Sequence, residues 1–138
     1  MPNKDVLKGT VVSGARKAAF FTQLDWVNAQ CEEKLGFRPF PGTLNIELLP
    51  ECLAGFASFQ KKPGRELTSP DPAFCSARVI PVLIENIPAA VILPDEQVRI
   101  HGHNIIEAVA PVSLRQTLNL NDGDIVCLRR GTGGEVQD

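Results

Sequence analysis

The chain has 138 residues, 43 % hydrophobic and 22 % charged, with 14 basic and 16 acidic side chains for a net charge of -2. That composition supports one buried core and one domain, read here as residues 1–138 with 131–138 as a frayed tail. It excludes a disordered polar tail and argues against a nucleic-acid binder that works by phosphate neutralisation alone.

No apolar run approaches the roughly 20 residues of a membrane-spanning helix. The opening Met1-Pro2-Asn3-Lys4-Asp5 has no apolar signal segment, so the expectation is a cytoplasmic protein without membrane attachment. Cys31, Cys52, Cys75 and Cys127 are far apart and form no Cys-x-x-Cys pair. They read as small apolar fillers, not as a zinc site.

In chain order, Leu7 to Ser13 reads as a strand ended by Gly14. Ala19-Phe20-Phe21 looks like its return strand, giving a hairpin with a basic tip. Thr22 and Asp25 have the spacing of a capping box. Leu24, Val27, Cys31 and Leu35 then repeat as one helix face, stopped by Gly36. Phe37 to Gly42 is a rigid loop, and Thr43 to Leu49 a strand closed by Pro50. Glu51 to Phe59 reads as a short helix or turn, and Gln60 to Pro72 as the most loop-like stretch.

Ala77 to Ile84 is a strand that Pro81 would confine to an edge or bulge. Glu85 to Pro88 turns the chain, Ala90 to Leu93 returns, and Ile105 to Ala110 is another strand. Ser113 to Leu118 fits a short helix with Ser113 as N-cap. Asn121 to Asp124 is a turn before a last strand at Ile125 to Leu128. The sum is a mostly β fold with one main helix and short helical turns. A small closed barrel accounts for it, with a sandwich as the alternative.

Several segments carry chemistry. Gly14-Ala15-Arg16-Lys17-Ala18-Ala19 offers small residues and two cations that suit phosphate oxygens, or it is an exposed hairpin tip. Thr43 and Asn45, two apart on a strand, present a hydroxyl and an amide oxygen to one side. Such neutral donors suit Mg²⁺ when phosphates complete its shell; an outward polar face is the other reading. Glu107 lies in an apolar strand, where a carboxylate must be solvated or paired. Arg115 near the start of a helix reads as an anion contact or as a surface charge without a partner evident from spacing. His101 and His103 are too few for a metal site on their own.

Three segments resemble the CTP-dependent riboflavin kinases of archaea. They are Gly9-Thr10-Val11-Val12-Ser13-Gly14 with Phe20-Phe21, then Lys34 through Pro41-Gly42-Thr43-Leu44-Asn45, then Ile105-Ile106-Glu107 through Arg115 and Leu120-Asn121-Asp122-Gly123-Asp124. The resemblance implies a six-stranded cradle-loop β-barrel that transfers the γ-phosphoryl group of CTP to the 5′-hydroxyl of riboflavin, giving FMN and CDP. It implies that Gly14, Ala15, Arg16, Lys17, Ala18, Ala19, Val112, Ser113, Leu114 and Arg115 meet the nucleotide. Thr43 and Asn45 would hold Mg²⁺, and Glu107 and Ile100 would lie at the flavin. Glu107 is also the candidate to orient or deprotonate the flavin hydroxyl. A monomer is expected.

Two positions depart from the family pattern. Only Gly14 remains of a first loop that is otherwise glycine-rich, and Ile100 stands where a threonine is usual. These departures motivate a second reading, a non-catalytic relative that binds a nucleotide or flavin. A third, a DNA-binding barrel of related topology, sits poorly with the net charge of -2.

Overall fold

The computed structural model describes residues 6–13, 21–61, 64–70, 77–94 and 104–131. The strands are β1 (Val6–Val12), β2 (Leu44–Leu48), β3 (Arg65–Leu67), β4 (Ala77–Ile84), β5 (Ile87–Pro94), β6 (Ile105–Val109) and β7 (Ile125–Arg130). The helices are α1 (Asp25–Leu35), α2 (Leu53–Gln60) and the single turn α3 (Leu114–Thr117). No helix among the described residues is long and apolar enough to cross a membrane.

The strands form one antiparallel sheet in the order β3-β4-β5-β6-β2-β1-β7. β7 then pairs back onto β4, with Val82 opposite Arg130 and Ile84 opposite Leu128. Six strands therefore close into a barrel, and β3 is an added edge. Closure leaves few strand edges free to pair with other chains; a sandwich does not form.

Alternating residues fill the interior: Leu7 and Val11 of β1, Leu44, Ile46 and Leu48 of β2, Ile106 of β6, and Val126 and Leu128 of β7. Each fully buried Leu or Ile contributes roughly 1.5–3 kcal/mol. Phe56 and Phe59 of α2 join this core with ring centroids 6.0 Å apart. Gly9 permits close contact between β1 and β2, since a Cβ there would lie 2.7 Å from the Glu47 carbonyl oxygen.

A second core lies outside the barrel. Val27 and Cys31 of α1 pack on Leu67, Val79, Ala90, Ile92 and Val109. Leu24 and Leu35 flank it, as the helical spacing predicts, and Gly36 ends α1 in the left-handed conformation.

The structure departs from the local sequence pattern at several points. Phe21 belongs to a 3-10 turn (Phe21–Gln23), not to a return strand. Both edges of β1 are taken by β2 and β7, and Ala19 and Phe20, read as its return strand, lie outside the described residues. The capping box does not form: Leu24 is the N-cap of α1, and no side chain bonds the helix start.

The stretch read as loop, Gln60 to Pro72, contains β3, and Leu67 is fully buried there. Polar groups of α1 hold it. Gln30 exchanges two hydrogen bonds with the Thr68 backbone, and Lys34 donates to the Glu66 carbonyl over 2.6 Å.

Pro81 stands inside a paired strand opposite Ala90. Its carbonyl accepts from Gly131 on the other edge, so its missing N–H also faces that edge, in the gap between β3 and β7. The β4–β5 turn is just Glu85-Asn86, both with positive φ as a tight hairpin turn requires, and Ile87 and Pro88 belong to β5. Gly131 is tied by its bond to Pro81, while 132–138 lie outside the described residues.

Candidate functional site

The loop from Phe37 to Thr43 is pinned at three residues. Phe40 N–H donates to the Ala110 carbonyl over 2.7 Å. Gly42 N–H donates to Thr22 Oγ1 over 2.9 Å. Thr43 Oγ1 donates to Glu107 Oε1 over 2.8 Å. Gly42 has φ +104°, a conformation that disfavours any residue with a Cβ, and it sets the direction in which Thr43 leaves the loop.

Asn45 sits one pleat further along β2, directly opposite Glu107 of β6. Leu44 and Ile46 on either side face the barrel interior, so Asn45 and Glu107 share the outer face with Thr43. That face is not open water at this point. Asn45 is only 7 % exposed, and its Oδ1 is buried without a hydrogen-bond partner. An unpaired buried polar atom is costly and calls for a ligand or a reason.

These oxygens fit a hard cation. Thr43 directs its proton at Glu107, which leaves its lone pairs available, and Asn45 Oδ1 is an unused acceptor. Neutral oxygens beside a carboxylate match the preference of Mg²⁺ for a few protein donors plus phosphate. Among the described residues, no group of three or more His, Cys, Asp or Glu side chains forms an alternative metal site.

The second part of the site follows β6. Ser113 caps α3, its Oγ accepting from Gln116 N–H over 3.3 Å. One capped turn leaves little helix dipole for an anion. Arg115 is not a lone surface charge. Its Nη2 donates to Asp122 Oδ1 over 2.6 Å, and Ser13 Oγ donates to Asp122 Oδ2 over 2.7 Å. The Ser13 hydrogen bond, then the Arg115 guanidinium, holds the Asp122 carboxyl below its ordinary range. Asp122 therefore joins the end of β1, α3 and the turn before β7.

A cleft of about 100 Å³ brings the two parts together, lined by Phe40 to Leu44, Ala108, Ala110 and Val112 to Arg115. Thr43 and Arg115 thus share one opening. Asn45 and Glu107 do not line it; Glu107 reaches it through Thr43. Leu114 is buried and anchors the segment, while Val112 is exposed at the rim.

The sequence candidates Gly14, Ala15, Arg16, Lys17, Ala18, Ala19, Ile100, His101 and His103 lie outside the described residues, as does Cys75. Three contributors were not picked out as site residues: Thr22, Asp122 and Phe40. The sequence marks Asp122 as a turn residue within the third resembling segment, but its role depends on Arg115, which is on another element.

The fold and cleft define a small antiparallel barrel protein with a polar opening that Thr43 shares with an anchored arginine. The family model named for CTP-dependent riboflavin kinases, described as a domain of unknown function, DUF120, matches residues 11–129. Proteins called riboflavin kinase are similar over most of this chain. One from Pyrobaculum aerophilum is 39 % identical over 123 residues, covering 87 % of this chain and 58 % of its own length. One from Thermococcus kodakarensis is 36 % identical over 139 residues, covering 91 % and 59 %. One from Methanosarcina mazei is 36 % identical over 129 residues, covering 91 % and 56 %. The chain belongs to the CTP-dependent riboflavin kinase family, and it spans less than two thirds of the length of these relatives.

Proposed function

We propose that this chain is the catalytic unit of a riboflavin kinase that moves the γ-phosphoryl group of CTP to the 5′-hydroxyl of riboflavin, yielding FMN and CDP. Family membership supports the flavin acceptor and the nucleotide donor. The observation that carries the reading is the Thr43–Glu107 hydrogen bond on the face that also holds the unpartnered Asn45 Oδ1, with Thr43 in the cleft that Arg115 lines.

In this reading Thr43 and Asn45 hold Mg²⁺, which when bound neutralises phosphate charge. The chain's own part is positioning, as phosphoryl transfer requires. Arg115, braced by Asp122, keeps a guanidinium at the cleft for phosphate oxygens. The first loop, Gly14 to Ala19, and the segment Val112 to Leu114 complete the nucleotide contacts. Glu107 orients Thr43 and, with Ile100, is assigned to the flavin side, where it is the candidate base for the acceptor hydroxyl. The reading extends to residues 1–138 as a single domain, monomeric and cytoplasmic.

The test is FMN formation by this chain from riboflavin with each of the four common nucleoside triphosphates, with and without Mg²⁺. Turnover with CTP is expected. No turnover with any donor would overturn the kinase; tight flavin binding without transfer would establish the non-catalytic alternative that the altered first loop suggests. Sedimentation of the purified chain checks the monomer.

A further inference from the structure

Thr22 stands outside every segment assigned to substrate, yet it is 1 % exposed and its hydroxyl oxygen accepts the Gly42 N–H at 2.9 Å. Gly42 immediately precedes Thr43. Its positive φ puts its backbone in the left-handed region, and nothing lies within 4 Å of where its Cβ would be, so no packing atom meets Gly42 at that position. The Thr22 hydrogen bond is a direct hold on its peptide.

Of the bonds that pin this loop, two run to the barrel wall, at Ala110 and Glu107. The third runs to Thr22, in the 3-10 turn that leads into α1. Thr22 also lines the packed interior beneath α1 with Val27, Cys31, Pro39 and Val109. A buried hydroxyl fixed by that packing is a rigid anchor, whereas a water in its place would let the Gly42 peptide rotate.

We infer that Thr22 is a positioning residue that, through the Gly42 peptide, aims the Thr43 hydroxyl at the cation site. This rests on the reading of Thr43 and Asn45 as the magnesium donors. It couples the outer core under α1 to the site: a substitution at Thr22 touches no substrate yet changes how the site binds metal.

Thr22→Val keeps the shape and removes the acceptor; Thr22→Ser keeps the acceptor. The probe is Mg²⁺ titrated with CTP present and riboflavin absent, read by NMR at the Thr43 and Asn45 amides, with hydrogen exchange read at Gly42. In Thr22→Val the midpoint should rise at least threefold and Gly42 exchange should speed at least tenfold, while Thr22→Ser titrates as wild type. If Thr22→Val does not fold cooperatively, Thr22→Ala takes its place with the same expectation. Wild type that shifts while both acceptor-lacking variants titrate identically to it overturns the inference alone. So does Thr22→Ser behaving like Thr22→Val. Wild type with no Mg²⁺-dependent shift at Thr43 or Asn45 overturns the metal reading itself, and the inference with it.

Discussion

Thr43 and Glu107 lie 64 residues apart in the chain, and the Thr43 hydroxyl donates to Glu107 Oε1 over 2.8 Å. The bond fixes the polarity of the hydroxyl. With its proton turned to the carboxylate, the oxygen keeps its lone pairs free, and Asn45 two residues on along the same face has an unpartnered oxygen. On the proposed reading these two oxygens are the donor pair for Mg²⁺.

Replacing both donors, Thr43→Ala with Asn45→Ala, should abolish metal-dependent turnover in a folded protein. Asn45 Oδ1 makes no hydrogen bond, so its removal alone should cost less than about 1 kcal/mol. Glu107→Gln should weaken metal affinity about 10- to 100-fold, the usual effect of losing a carboxylate that orients a ligand. Steady-state assays across Mg²⁺ concentration, with thermal melts alongside, measure both; metal-dependent turnover surviving in the double variant would remove the assignment.

The carboxyl of Asp122 is held below its ordinary value, 3.8, by Ser13 and then Arg115. A depressed carboxyl pKa contributes stability that is fully present above the unfolded value and is lost as pH falls through the folded one. The stability difference between wild type and Asp122→Asn should therefore be constant at neutral pH and shrink below about pH 4. Urea unfolding across pH 2–7 follows it; a difference that grows on acidification contradicts the network.

Leu67 of the short β3 is fully buried in the outer core. Leu67→Ala should cost about 2–5 kcal/mol. A mobile loop would lose only a few tenths. The urea midpoint, at unchanged slope, separates the two.

Burial pushes the Cys31 thiol up to about 11. At pH 8 its thiolate is then on the order of one part in a thousand. Iodoacetamide should leave Cys31 unmodified in the native protein and label it in denaturant, as peptide mass analysis would show. Native labelling of Cys31 at the rate of a free thiol would contradict its packing under α1.

Features decided within a few residues were legible in the chain itself. The face of α1 and its stop at Gly36, the Ser113 cap of α3, the turn at Asn121 to Asp124 and most strands depend on local backbone preference and apolar spacing. So did the pairing of Thr43 with Asn45, because alternate strand residues share a side. The motif around Pro41-Gly42-Thr43-Leu44-Asn45 was specific enough to carry the family.

Only the tertiary structure decided who meets whom. The sequence predicts a local return strand after β1, but distant β2 and β7 occupy both edges of β1. The spacing predicts Thr22 as a helix cap, but its hydroxyl oxygen accepts from Gly42. Gln60 to Pro72 looked like loop because the apolar support for Leu67 comes from α1 and β4. Glu107 with Thr43, and Asp122 with Arg115, are partners that no spacing rule supplies. The physical reason is the same in each case: barrel closure sets strand order and register globally, and hydrogen bonds and burial between distant segments outweigh the weak local preferences that a sequence displays.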